Sequence, residues 1–118
     1  MNIISFICVG IGGALGAMSR YSLSLFIPSD KFPYATLAAN VLGCLVIGVL
    51  VSWGVRTNLS SNATMLLKTG FCGGFTTFST FSLETMKYFQ TGDYILGSVY
   101  ILVSVVACLL GVWIGMKI

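Results

Sequence analysis

Between Gly70 and Ser82 the chain reads GFCGGFTTFSTFS, a run that mixes glycine, hydroxyl and phenyl groups with no charge and no histidine. Hydroxyls donate and accept hydrogen bonds without ionising. Phenyl rings carry an electropositive edge. Such groups suit a small, strongly hydrated ion that must lose water inside an apolar setting. A ring edge at Phe78 or Phe81 replaces part of an anion's hydration without holding a full charge, and weak binding lets the ion leave again. The competing reading is an aromatic stripe packed in a core. Gly73-Gly74 weighs against a plain helix, since each glycine costs about 1 kcal/mol relative to alanine in a helix interior. The hydroxyls of Thr76, Thr77, Ser79, Thr80 and Ser82 can bond locally to the backbone. Together they predict an unwound turn, which in a membrane must be buried or line a cavity. Freed carbonyls at such a turn tend to meet cations.

Other polar residues fall at helical spacing. Thr36, Asn40, Cys44 and Gly48 recur every four residues. Asn40 is either an interhelical hydrogen bond that holds a bundle together or an amide donor to an anion, with Thr36 one turn nearer the surface. Tyr100, Ser104, Cys108, Gly111 and Gly115 form another stripe, where Tyr100 and Ser104 offer two hydroxyls one turn apart as packing glue or as the wall of a polar track. Gly12, Gly16, Arg20 and Ser24 form a third, whose GxxxG permits close backbone approach. Arg20 either snorkels to the interface or lines an aqueous cavity, where it would concentrate anions. Glu84 is the only acidic residue well inside an apolar segment and is a functional candidate for that reason. Lys87, three residues on, can pair with it on the same helix face.

The elements that must position these groups follow from composition. Of 118 residues, 57% are hydrophobic and 8% charged, against about a quarter charged in a soluble domain. This is the composition of an integral membrane protein. Apolar runs predict four transmembrane helices at about 3–27, 34–54, 64–90 and 94–116, a single all-α membrane domain with a break in the third helix. The N-terminus lacks a basic region and a cleavage site, so a retained first helix is expected. With four spans, Arg56, Lys68 and Lys117 fall on one side and Arg20, Lys31 and Lys87 on the other. That balance gives the positive-inside rule little to act on. It allows either one weakly fixed orientation or insertion both ways with assembly as an antiparallel pair. The net charge of +3 is too scattered for nucleic acid. Cys8, Cys44, Cys72 and Cys108 form no CxxC, lack histidine partners for zinc, and read as small apolar residues in the bundle. No nucleophile–base pair suggests an enzyme.

GGALGAMSRY in the first helix, TLAANVLG in the second and TGFCGGFTTFSTFSLE in the third together resemble the Fluc (CrcB) family of fluoride channels over nearly the whole chain. The resemblance implies a dual-topology antiparallel homodimer with two pores, each lined by both subunits. It implies passive export of fluoride that enters as HF and dissociates in the cytoplasm, across the inner or plasma membrane of a bacterium. By position, Asn40 matches the pore asparagine, and Phe78 and Phe81 the phenylalanines whose edges face fluoride. Ser79 and Thr80 match the hydroxyl stretch beside them, Tyr100 and Ser104 the fourth-helix track, and Glu84 an acidic residue near its end. Cys108 stands where relatives can carry serine. Backbone carbonyls of Gly73 and Thr76 match the ligands of a structural Na+, two from each chain making a plausible shell for a hard cation. The expected partners are fluoride, a second copy of the chain and the lipid bilayer. A small proton-coupled four-helix exporter using Glu84, and a non-transporting membrane subunit, are the alternatives.

Overall fold

Capping residues set where each helix begins. In the computed structural model, which describes residues 2–118, Asn2 Oδ1 accepts from the Ile4 N–H at 3.0 Å and opens α1 (Ile3–Phe26). Pro33 precedes α2 (Tyr34–Thr57), which ends where Asn58 takes a left-handed conformation, φ 55°, one that asparagine tolerates better than most residues. Ser60 Oγ caps α3 (Ser61–Thr64), accepting from the Ala63 N–H at 3.2 Å. The chain then winds as a π-helix over Met65–Cys72 and closes with the single turn α4 (Gly73–Phe75). Thr76 and Thr77 are extended, with φ/ψ of −89°/158° and −148°/120°. Helicity resumes in α5 (Phe78–Gln90), capped by Thr77. Asp93 Oδ1, accepting from the Leu96 N–H at 3.2 Å, opens α6 (Tyr94–Lys117).

All regular structure among the described residues is helical. Helices α1, α2 and α6 have 24 residues each, and each contains an 18-residue stretch of high mean hydropathy, 1.6, 2.1 and 2.5 in turn. At 1.5 Å per residue each is about 36 Å long, enough for a hydrocarbon core of about 30 Å. The chain is therefore a multi-pass membrane protein. Its outer surface agrees: Phe6, Leu102 and Leu109 are each more than 60% exposed, as lipid-facing side chains are.

Two seams of small residues hold the helices together. Along the first, α1 lies directly on the π-helical segment and α4. A Cβ placed on Gly12 would collide with the Leu66 carbonyl, one on Gly16 with that of Phe71, and one on Gly74 with that of Gly13. Along the second, α2 lies on α6, where a Cβ on Gly48 would strike the Val112 carbonyl and one on Gly115 that of Leu45. Lipid supplies no hydrophobic drive between helices, so close backbone packing of this kind does the holding. Gly16→Val should therefore lower the melting temperature in detergent sharply, since forcing atoms into a packed site costs about 1–3 kcal/mol even where side chains can yield. Gly10→Ala, where a Cβ meets nothing within 4 Å, should leave it unchanged or raise it. Equal melting temperatures for the two variants would contradict the seam.

Between the seams lies a small core of α2, α5 and α6 residues. Ala39 and Tyr100 are fully buried there, with Phe81, Thr85, Thr36 and Ser104 nearly so. Half of them, Thr36, Tyr100 and Ser104, come from the polar stripes described above, turned inward.

Candidate functional site

The interruption at Thr76–Thr77 leaves backbone groups that lipid cannot satisfy. Side chains satisfy several of them. Thr77 N–H donates to Asn40 Oδ1 at 2.7 Å, and Asn40 Nδ2 donates to the Thr77 carbonyl at 3.1 Å. The amide of Asn40 thus stands in for a neighbouring strand, with one N–H left over. Arg20 Nε donates to the Gly74 carbonyl at 3.2 Å. The Thr80 N–H donates to Thr77 Oγ1 at 3.1 Å.

These bonds have a consequence for the carbonyls. In an unbroken helix Gly73 O would accept from the Thr77 N–H and Thr76 O from the Thr80 N–H. Both donors are spent elsewhere, on Asn40 and on Thr77 Oγ1. Gly73 is also exposed, and a Cβ there would meet nothing within 4 Å. A helix C-terminus carries partial negative charge, and the N-terminus that follows, at Phe78, carries partial positive charge. The break therefore sets an oxygen-rich end and an N–H-rich end a few residues apart.

On the N–H-rich side, Phe78 and Phe81 sit one turn apart with ring centroids 5.6 Å from each other and planes at 46°. Phe81 is buried and lies 5.0 Å from the ring of Tyr100. Phe78 is 79% exposed. Both rings line a cavity of about 320 Å³ together with Asn40, Thr77, Ser104 and Cys108. Ser104 Oγ is buried without a hydrogen-bond partner. A buried hydroxyl in that condition is uncommon, and this one borders the cavity.

Glu84 is held by hydroxyls from two other helices. Thr36 Oγ1 donates to its Oε2 at 3.0 Å and the Tyr100 hydroxyl to its Oε1 at 2.8 Å. Lys87 is exposed and takes no part. A second cavity, of about 290 Å³, is lined by Arg20, Thr36, Thr77, Thr80 and Glu84. Arg20 thus borders a cavity and also tethers the broken helix end.

The residues singled out from sequence divide into groups. Asn40, Phe78, Phe81 and Ser104 share one cavity; Arg20, Thr36, Thr80 and Glu84 share the other. Tyr100 lies buried between them, in contact with both Phe81 and Glu84. Ser79 is exposed, its Oγ 3.4 Å from Thr77 Oγ1, and lines neither cavity. Thr77 had no individual assignment, yet it lines both cavities, caps α5 and anchors Asn40. Its signal was present as a hydroxyl residue three positions before Thr80 at the start of a helical pattern.

A model of the family described as CrcB-like protein, Camphor Resistance (CrcB), matches residues 7–116. Among curated relatives, a protein of Dehalococcoides mccartyi (strain CBDB1) is 48% identical over 108 residues, covering 88% of this chain and 83% of its own. One of Campylobacter lari is 42% identical over 118 residues, covering 97% and 96%. One of Geobacter sulfurreducens is 41% identical over 115 residues, covering 94% and 93%. Each of these three relatives carries the name fluoride-specific ion channel FluC.

Proposed function

Since this chain belongs to the CrcB family, whose named members are ion channels and not enzymes, we propose that it conducts fluoride passively out of a bacterial cell. The observation that carries this reading is the cavity beside the break. It brings two phenyl rings, the spare N–H of Asn40 and the unpartnered Ser104 hydroxyl together at the positive end of α5. These groups are electropositive without being charged. They can replace water around a small anion one contact at a time, and none binds tightly enough to hold it. Fluoride, the most strongly hydrated halide, gains most from hydroxyl and amide donors at short range.

In this reading the anion enters past Arg20, which raises its local concentration, and crosses beside Phe78, Phe81 and Ser104. The buried Tyr100 hydroxyl, with Thr36, keeps Glu84 in place so that its charge does not swing into the path. Ser79 and Thr80 stand in the first turn of α5. Export follows the gradient: fluoride enters acidified cells as HF, ionises in the cytoplasm and leaves as the anion across the plasma membrane.

The functional unit is an antiparallel dual-topology homodimer of four-helix subunits, each with an interrupted third helix. Phe78 supports it, being a large apolar ring at the open side of a single chain, 79% exposed there. A second copy related by a two-fold axis would cover such a surface. The uncommitted carbonyls of Gly73 and Thr76 fit a hard monovalent cation: they are neutral oxygens, they lack their helical N–H partners, and Gly73 faces open space. Na+ held by two carbonyls from each subunit would offset the negative ends of two broken helices.

Glu84 decides between a channel and a proton-coupled exporter. Purified protein in liposomes should release fluoride at the same initial rate whether the imposed pH gradient points inward or outward, and Glu84→Gln should slow release without creating a pH-gradient dependence. Fluoride driven uphill by a proton gradient, and lost in Glu84→Gln, would establish the exporter instead.

A further inference from the structure

Two thiols line the cavity beside the ring edges, and the proposed conduction path uses neither. Cys44 lies one turn beyond Asn40 on α2, and Cys108 one turn beyond Ser104 on α6. The α2–α6 seam is tight here. A Cβ placed on Gly111 would lie 3.5 Å from the Cβ of Cys44, and Cys108 precedes Gly111 by one turn on the same face. Cys44 and Cys108 accordingly face the same cavity from the two sides of this seam. Both are half-buried and neither is in a disulfide.

Among the described residues, no group of three or more His, Cys, Asp or Glu is placed to hold a metal ion. That rules out a closed tetrahedral zinc site, which needs four ligands. Soft monovalent cations differ, because thiolates select them and two sulfurs in a line suffice.

We propose that Cys44 and Cys108 form a two-sulfur site for a soft monovalent cation, silver(I) or copper(I), and that its occupancy closes the cavity to anions. On binding, each thiol releases its proton to the medium and forms one metal–sulfur bond, with no change of oxidation state. Two thiolates and one monovalent cation leave a net charge of −1. That charge lies in the cavity lined by Phe78 and Ser104, where low polarity screens it poorly and a passing anion is repelled. The effect on flux rests on reading this cavity as the fluoride path; the binding site itself does not.

The test uses the full chain and silver ion in chloride-free nitrate buffer. Bound silver is counted by elemental analysis after gel filtration, and fluoride efflux is followed in parallel from liposomes. Wild type and a Cys8→Ser/Cys72→Ser variant should each bind one silver per chain. Cys44→Ser and Cys108→Ser should lose it, and Cys44→Ala provides a second variant if the serine fails to fold. Silver should slow wild-type efflux about tenfold or more, while the ratio of rates with and without silver should return to one in Cys44→Ser/Cys108→Ser. Silver retained by both single variants, or wild-type efflux indifferent to bound silver, would overturn the proposal. If untreated wild-type liposomes release no fluoride, the channel reading fails, and the silver count alone then upholds or overturns the site.

Discussion

Phe78→Ile and Phe81→Ile should each slow fluoride efflux by roughly tenfold or more, because about 1.4 kcal/mol of lost stabilisation for the partly dehydrated ion suffices for that. Isoleucine keeps the site apolar and removes the electropositive ring edge, which is the property at issue. The two variants differ in what else they disturb. Phe81 is 8% exposed and in contact with Tyr100, so its loss opens a packing defect and lowers the melting temperature. Phe78 is 79% exposed within one chain, so Phe78→Ile should leave the subunit's own fold intact. Slow efflux from an assembled, thermally normal Phe78→Ile protein would identify the ring as part of the path. Normal efflux from that protein would remove the rings from the mechanism.

Asn40→Asp should be as damaging to flux, for two separable reasons. The carboxylate can still accept from the Thr77 N–H, but it cannot donate to the Thr77 carbonyl, which Asn40 Nδ2 reaches at 3.1 Å. The part-buried Thr77 carbonyl then keeps only its α5 partner and loses a hydrogen bond worth about 0.5–1.5 kcal/mol. The new negative charge also borders the 320 Å³ cavity and opposes anion entry. Asn40→Ala removes both hydrogen bonds without adding charge. Comparing melting temperature and efflux rate for the two variants separates the roles. Alanine should lower the melting temperature at least as far as aspartate does, whereas aspartate should slow efflux further. An aspartate variant that conducts normally would mean that Asn40 only braces the break.

The helical, membrane-spanning character of the chain was legible from its apolar runs, because a segment of some 20 apolar residues has few stable alternatives in lipid. The glycine stripes were legible too, as spacing alone places Gly12 and Gly16 on one face. Spacing does not reveal what a stripe faces: Gly16 lies against the Phe71 backbone, a contact some 55 residues away in sequence. The same limit applies to the polar side chains. Asn40 and Thr36 lie one turn apart, yet one is committed to the Thr77 backbone and the other to Glu84. Lys87 shares a helix face with Glu84 at a spacing that permits pairing, but two hydroxyls from other helices occupy the carboxylate. Long-range partners win such contests in a membrane because a hydroxyl has few other places to satisfy itself, while a lysine near a helix end can reach water. Thr77 was the least legible residue of the site, since its several roles appear only once the chain is folded around it.

The most direct test is ion selectivity in a purified system. Liposomes loaded with equal fluoride and chloride, containing the wild-type protein, are diluted into a medium free of both, and each anion is followed with its own electrode. A passive fluoride channel should empty the vesicles of fluoride while chloride stays inside until detergent is added. Equal release of both anions, or release of neither, would contradict it.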